Sequence, residues 1–166
     1  MAKIGLCDRR GIVGSKIAHF IIMTHKPFKT STSSAGRPMH YTVGALIERD
    51  GKILLMDRAI TPFGYAGPAG HIDLGEEPLP ALHREVKEET QLDIVHAELL
   101  FEEEIYNEKF PCVAGCTTHY WYLYKCETRG EPQPDEESKS LDWYTPEEIR
   151  ELPLEHSWKY WFEKML

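Results

Sequence analysis

Apolar and polar residues are arranged along the chain in blocks that predict strands on both sides of one amphipathic helix. Residues 40–59, "HYTVGALIERDGKILLMDRA", contain two apolar, β-branched runs separated by Asp50 and Gly51. An Asp-Gly pair between such runs is a strong hairpin signal, so we predict two antiparallel strands. Strand-like runs recur later in the chain, at residues 93–107, 118–127 and 138–146.

The segment from residue 78 to 90 has the helical period instead. Pro78 suits the first helical turn, and strong helix formers follow it. At 100° per residue, Leu79, Leu82 and Val86 share one arc, which predicts a stripe that packs on the sheet. The same projection places three glutamates on an adjacent arc of about 100°: Glu85, Glu88 and Glu89.

Two features complete the predicted architecture. Thr145 and Pro146 resemble an N-cap followed by a proline at the first helical position, and residues 155–166 predict a last helix. Residues 60–78 hold four glycines and three prolines, and a connection of this length in a compact domain is expected to be functional. Strands around a central helix, with helices at the end, predict a mixed α/β domain.

Composition and charge limit the number of domains and the kinds of partner that the chain can have. The 166 residues, 42% hydrophobic with a net charge of −8, suit a single globular domain, which we place at residues 39–166. Residues 1–38 form a basic N-terminal extension, with seven Lys or Arg and a single acid, that ends in a flexible linker.

The remaining body is acidic, which makes nucleic-acid binding an unfavoured role that would depend on the basic arm. The apolar run at residues 17–23 is too short to span a membrane and has no cleavage site of a secretory signal, so we expect a cytoplasmic protein without membrane partners. Two tryptophans in "SWKYWF", residues 157–162, either cap the core or contact a second copy, so a homodimer is possible.

The four cysteines predict free thiols rather than a disulfide framework. Cys112, Cys116 and His119 have a spacing that could hold zinc. They lie in or beside a strand-like run in which neighbouring side chains point to opposite faces, so ordinary packing is the favoured interpretation.

The three glutamates raise the question of a metal site. Like charges at helical positions i and i+4 repel each other, and a divalent cation would reverse the sign of that interaction. Oxygen-only carboxylate ligands suit Mg²⁺ or Mn²⁺. On helix spacing alone, a solvated acidic face remains the favoured alternative.

The surrounding spacing changes that balance. Gly70 is followed after five residues by Glu76, and after seven more by the run from Arg84 to Leu92. This pattern resembles the Nudix box, G-x5-E-x7-R-E-U-x-E-E-x-G-U, where U is aliphatic. Eight of its nine named positions match, and the exception is Gln91 in place of glycine.

The resemblance implies a Nudix fold, an α/β/α sandwich with a mixed β-sheet. It implies that Glu85, Glu88 and Glu89 bind Mg²⁺, or Mn²⁺, with a backbone carbonyl near Ala69 or Gly70. Arg84 and Glu76 would support them. The family hydrolyses nucleoside diphosphates linked to a second moiety, by water attack on phosphorus. We therefore expect a nucleotide pyrophosphohydrolase that acts on a small nucleoside diphosphate derivative.

The general base varies within this family. Glu88 and Glu89 are the first candidates, and Glu136 or Glu137 of a later acidic loop are alternatives. Two residues could contact the substrate directly: Arg58 through a phosphate and Tyr65 by stacking on a base. His71 and His83 are weaker candidates for phosphate or metal contacts.

Two other functions remain open at this point. One is a non-catalytic Nudix module that binds a nucleotide or an RNA end and regulates a partner, although such modules usually lose box carboxylates. The other is an RNA-cap or NAD-cap hydrolase, for which the basic arm is the only support and against which the acidic body counts. Gln91 falls outside the arc of the three glutamates, so we expect it to change the helix end and leave the site intact, at a cost of about 1 kcal/mol.

Overall fold

A computed structural model describes residues 27–109, 111–112 and 114–166. The apolar run at residues 17–23, Cys7 and most of the basic extension lie outside these residues. The division of the chain at residue 38 stays a prediction. Within the described residues, the elements follow the predicted order of strands, a central helix, more strands and C-terminal helices.

In the described part of the chain, eight strands form the sheet: β1 (Thr30–Thr32), β2 (Pro38–Arg49), β3 (Lys52–Arg58), β4 (Tyr65–Ala66), β5 (Ala69–His71), β6 (Asp93–Tyr106), β7 (Thr118–Arg129) and β8 (Ser138–Tyr144). The same residues form three helices: α1 (Pro78–Thr90), α2 (Pro146–Ile149) and α3 (His156–Met165). The predicted hairpin is confirmed, because β2 and β3 are antiparallel and join through Asp50 and Gly51, both with positive φ.

Strand β2 is the centre of the sheet. It pairs in parallel with β7 from His40↔His119 to Ile47↔Cys126, while β5 lies antiparallel to it on the other side. Strand β6 extends the sheet beyond β7, and β8 and β4 pair with β3. Parallel and antiparallel neighbours therefore coexist, which confirms a mixed sheet.

Three short strands occur where the sequence predicts connections. β1 lies in the segment predicted to be a flexible linker, and it pairs with the start of β2. β4 and β5 lie in the glycine-rich segment, and β5 pairs with Thr42, Val43 and Gly44. Strands of two or three residues are too short to show an alternating pattern, so the sequence carries no signal for them.

Alternating side chains give the sheet two cores. Val43, Ala45 and Ile47 of β2 pack in a cluster with Leu82 and Val86 of α1. Strand side chains that point the other way form the second cluster with α2 and α3 on the opposite face of the sheet; the cluster includes Leu46, Trp121, Leu123, Ile149, Trp158, Trp161 and Phe162. The sheet thus lies between α1 and the C-terminal helices, and the predicted α/β class is confirmed.

Helix α1 has the predicted bounds but a slightly different apolar face. Leu82 and Val86 are buried together with Ala81, whereas Leu79 is 45% exposed, so its place in the predicted stripe is wrong. Leu79 lies in the first turn, beyond the area that the sheet covers. The helix ends at Gln91, which has φ 61° and ψ 5°, the left-handed conformation that the family glycine would adopt.

The C-terminal helices follow their predicted signals. Thr145 caps α2 through a capping box with Glu148. Trp158 and Trp161 of α3 are buried in the core, as the capping interpretation predicted, and the homodimer stays a prediction. Within the described part of the chain, no helix is long and apolar enough to cross a membrane.

Candidate active site

Strand β5 and helix α1 bring the acidic face of the helix against the backbone of the sheet. Gly70 lies between Ala69 and His71, so its missing side chain would point to the opposite face of the sheet from theirs. A Cβ atom built on Gly70 would lie 2.1 Å from the carboxyl carbon of Glu85. No side chain fits at position 70 while Glu85 keeps its place, and this close approach is the physical reason for the glycine.

Glu89 is the most deeply buried member of the predicted glutamate set. It is 8% exposed, and its Oε2 accepts a hydrogen bond of 2.9 Å from the backbone N–H of Ala69. Glu85 is partly buried one turn earlier, and Glu88 is exposed. The three carboxyl groups therefore extend from the interior, beside β5, to the open side of the helix.

Arg84 fixes these acids through hydrogen bonds. Its guanidinium donates two to Glu76, from Nε at 3.1 Å and from Nη2 at 2.8 Å. Nη1 lies 2.6 Å from Oε1 of Glu85 and 3.4 Å from Oε2 of Glu88. Nη2 also donates to the backbone carbonyl of His71 at 3.0 Å. A planar fork with several charge-assisted bonds holds its partners in fixed positions. The supporting role of Arg84 and Glu76 in metal binding stays a prediction.

Burial makes negative charge costly at the two inner acids. It raises the pKa of Glu85 to about 7, although Arg84 opposes the shift. Burial also raises the pKa of Glu89 well above its usual range, and the negative charge of Glu85 adds to that effect. A cation between these oxygens would lower both pKa values. The set offers only oxygen ligands, which fit a hard divalent ion such as Mg²⁺ or Mn²⁺.

A cavity of about 910 Å³ opens beside this cluster. Among the described residues, two guanidinium groups line it, from Arg58 and Arg84. The carboxyl groups in this described lining belong to Asp73, Glu85, Glu88, Glu89, Glu137 and Glu155. Acids exceed cations in this part of the lining and would repel a phosphate-bearing ligand, and bound cations would neutralise that field.

The other predicted residues divide into those inside and outside the cavity. Arg58 lines it, and its Nε donates to the carbonyl of Pro62 at 2.8 Å. Tyr65 is not among the described lining residues; its ring packs against Tyr144 with the centroids 5.5 Å apart. The predicted stacking role of Tyr65 has no support from this position. His83 is exposed on α1 and is not among the described lining residues.

Of the acidic loop before β8, Glu137 lines the cavity and Glu136 does not belong to the described lining. Glu137 therefore lines the same cavity as the box glutamates, from another element. Glu76 acts from behind the cluster, where it accepts the bonds from Arg84 and a further one from the N–H of Asp73 at 3.1 Å.

Several lining residues carry no signal in the local sequence. Glu155, His156 and Trp158 come from the start of α3, far from the box in the chain. Glu155 caps that helix by accepting from the N–H groups of Ser157 and Trp158, and its Oε1 lies 2.5 Å from Nδ1 of His156. Only the packing of α3 on the sheet brings them to the cavity.

Histidines from three strands form a further part of the cavity wall. His71 and His119 line it, and His40 lies beside them. Burial lowers the pKa of His71 to about 3 and that of His119 to about 4, and the neighbouring histidines contribute. The sequence makes His71 and His119 candidates for two separate roles, and it carries no local signal for the strand pairing that brings them together.

Comparison with known proteins agrees with this geometry. The family model described as the NUDIX domain matches residues 38–165. An "ADP-ribose pyrophosphatase" of Methanocaldococcus jannaschii is 46% identical over 52 residues, which are 30% of this chain and 31% of that protein. The chain thus matches about a third of the length of this relative.

Solved structures extend the similarity over most of the domain. The crystal structure of a MutT NUDIX hydrolase from Burkholderia pseudomallei has a TM-score of 0.67 and 26% identity, covering 77% of this chain and 98% of that one. A NUDIX hydrolase from Nitrosomonas europaea has a TM-score of 0.56 and 27% identity, covering 68% of this chain and 76% of that one.

Proposed function

This chain belongs to the Nudix family, and from that premise we propose that it is a divalent-metal-dependent hydrolase of nucleoside diphosphate derivatives. It would cleave the diphosphate linkage by water attack on phosphorus. One observation carries the proposal: Glu85 and Glu89 are held beside Gly70 at the wall of a large cavity, where burial makes their charge costly without a cation.

The first step is binding of the diphosphate. Bound Mg²⁺ would neutralise the phosphate oxygens and make a coordinated water more acidic. Glu85, Glu88 and Glu89 are the residues that would hold it, with a carbonyl of Ala69 or Gly70. Arg58 also lines the cavity and would provide a cationic donor for a phosphate oxygen.

Arg84 and Glu76 keep the carboxylates in place during the reaction. Their double hydrogen bond fixes the guanidinium, which in turn orients Glu85 and, more loosely, Glu88. Such orientation matters because a displacement of about 1 Å at a reacting group can cost on the order of 10²-fold in rate. We therefore assign Arg84 and Glu76 a positioning role.

A general base must then accept the proton of the attacking water. Glu88 and Glu89 are our first candidates, since both lie in the cluster that lines the cavity. Glu137 is the alternative from the acidic loop before β8. The exposed position of Glu88 favours proton exchange with solvent, and the buried position of Glu89 favours a ligand role.

ADP-ribose is the first substrate to test, because the curated relative carries that activity in its name. Purified protein would be assayed with Mg²⁺ or Mn²⁺ against ADP-ribose and a panel of other nucleoside diphosphate derivatives, with release of nucleotide as the readout. We expect metal-dependent turnover of at least one compound.

Glu88→Gln and Glu89→Gln are the decisive variants, and Glu98→Gln is the matched control, since Glu98 is exposed on β6 away from the cavity. We expect the two box variants to lose on the order of 10²-fold or more and the control to keep its activity. If wild-type protein turns over no compound faster than the box variants, the enzyme proposal fails, and a non-catalytic nucleotide-binding module takes its place.

A further inference from the structure

Three strands bring three imidazole rings to one face of the sheet. His40 of β2 and His119 of β7 are direct partners in the parallel pair, and His71 of β5 lies opposite Thr42, two residues after His40. Alternation along β2 places His40 and Thr42 on the same face. The ring centroids are 5.2 Å apart for His40 and His71, 5.9 Å for His40 and His119, and 5.7 Å for His71 and His119.

A thiol from the β6–β7 connection completes this group. Cys112 places its Sγ 3.8 Å from Nδ1 of His40. A tight turn holds it there, because the N–H of Cys112 donates to the carbonyl of Cys116 at 2.9 Å and the N–H of Gly115 donates back to the carbonyl of Cys112 at 2.8 Å. One ligand atom from each of the four side chains lies within 4.8 Å of all the others.

The inner nitrogens of this group lack partners. Nε2 of His71 and Nε2 of His119 are both buried, and neither has a hydrogen-bond partner among the described residues. Burying a polar atom without a partner is costly, and native proteins rarely do so without a compensating group. Phe28 stacks on His71 with the centroids 4.3 Å apart, so an aromatic ring covers one side of the group.

We propose that His40, His71, Cys112 and His119 bind a single Zn²⁺ ion in a tetrahedral site that is separate from the carboxylate cluster. Imidazole nitrogen and thiolate sulfur are the donors that zinc selects, whereas Mg²⁺ takes oxygen. Zn–N bonds near 2.0 Å and a Zn–S bond near 2.3 Å set the ligand atoms of a tetrahedral site about 3.3–3.5 Å apart, so zinc binding needs only a small contraction of the present group. Binding releases the proton of the Cys112 thiol to solvent.

The donor set differs from the one that the spacing of Cys112, Cys116 and His119 suggested. Cys116 is buried, and its thiol faces the carbonyls of Pro38 at 3.4 Å and Thr118 at 3.2 Å instead of the histidines. Cys112 and His119 of that spacing belong to the proposed site, although ordinary packing is the interpretation that the sequence favours for them. His40 and His71 come from strands that the spacing pattern does not include.

Four protein ligands leave no open position, which is the arrangement of structural zinc sites. This ion would fasten the β6–β7 connection to β2, β5 and β7 at once. Cys112, His71 and His119 also line the cavity, so the fastened connection is part of the cavity wall. The role is to fix that wall, and the inference stands whether or not the chain is a hydrolase.

The test is metal binding by the full chain. Protein stripped with a chelator would be supplied with Zn²⁺, dialysed and analysed for metal by mass spectrometry, and Co²⁺ would serve as the spectroscopic probe. We expect one tightly bound Zn²⁺ per chain and Co²⁺ spectra with tetrahedral d–d bands and a thiolate charge-transfer band.

Cys112→Ser and His119→Gln should each weaken Zn²⁺ binding by at least 100-fold, and Cys112→Ser should abolish the charge-transfer band. Cys116→Ser is the matched control, since a serine hydroxyl can donate to the same carbonyls, and it should keep full binding. Glu88→Gln should also keep its zinc while it loses the proposed hydrolysis, which separates this inference from the proposed function.

Circular dichroism verifies that each variant is folded, and the rate of Cys112 alkylation gives a measurement on the wild-type chain itself. Zn²⁺ should slow that alkylation at least tenfold. The proposal is overturned if the wild-type chain retains no Zn²⁺, if folded Cys112→Ser and His119→Gln bind it as tightly as wild type, or if Zn²⁺ leaves the alkylation rate unchanged.

Discussion

Replacing Gln91 with glycine tests whether the end of α1 carries backbone strain. Gln91 has φ 61°, its N–H donates to the carbonyl of Lys87 at 3.1 Å, and its own carbonyl accepts from Nζ of Lys87 at 2.9 Å. Its side chain is exposed. Gln91→Gly therefore removes the strain and leaves these hydrogen bonds in place.

The expected size of the effect follows from two opposing terms. A left-handed conformation costs an L-residue about 1–2 kcal/mol, which glycine does not incur. Glycine also has more conformational freedom in the unfolded chain, and this freedom lowers the free energy of unfolding by about 0.4–1 kcal/mol. Gln91→Gly should therefore raise the free energy of unfolding by about 0.8 kcal/mol, the centre of a range of about 0–1.6 kcal/mol, and raise Tm by about 2–3 °C for a chain of this length.

The assay is urea unfolding followed by circular dichroism, with Gln91→Ala as the control. The alanine variant removes the same side chain but keeps the strain, so its stability should stay within about 0.5 kcal/mol of wild type. If the glycine variant is no more stable than the alanine variant, the strain of the left-handed conformation does not exceed the entropic cost of glycine, and the reasoning is wrong.

Three further predictions concern the cavity. Gly70→Ala should lower the proposed activity by on the order of 10²-fold or more with the fold retained, because the new methyl group displaces Glu85; kcat and near-UV circular dichroism check this, and unchanged kcat would contradict it. Arg84→Lys should lower kcat by at least about tenfold, since an ammonium cannot make the bidentate contact with Glu76. A lysine variant with wild-type kcat would show that a positive charge alone is enough to position the glutamates. Burial alone would raise the pKa of Glu155, but His156 and the capping N–H groups lower it below its usual value. The stability from ionised Glu155 is thus complete above its unfolded pKa of about 4.3 and is lost as pH falls through the lower folded pKa. The wild-type advantage over Glu155→Gln should therefore hold down to about pH 5 and shrink as the pH falls below about 4.3; a constant difference over that acidic range would refute this.

The sequence predicted those parts of the fold whose signals are local. Pro78 and a run of helix formers gave the bounds of α1, and Asp50 with Gly51 marked the hairpin. The fixed spacing from Gly70 to Leu92 identified the family and assembled the predicted glutamate cluster in a single element. Each of these features depends on residues that are close together in the chain, so one sequence suffices to show them.

Features that depend on strand pairing were not predictable in the same way. The parallel pairing of β2 with β7 has no local signature, and it alone makes His40 and His119 neighbours. The place of Tyr65 in the functional loop predicts a contact with the substrate, but the pairing of β4 with β3 directs its ring toward Tyr144. Glu155 enters the cavity only because α3 packs on the sheet.

The parallel pairing of β2 with β7 also has a consequence for folding, because it joins segments that are far apart in the sequence. The contact between His40 and Cys112 spans 72 positions in the sequence, and closing so long a segment costs entropy before any contact compensates for it. A ribosome releases β2, β5 and α1 well before β7. The glutamates can therefore meet Gly70 early, whereas the cavity as a whole can close only when synthesis has passed β7 and α3.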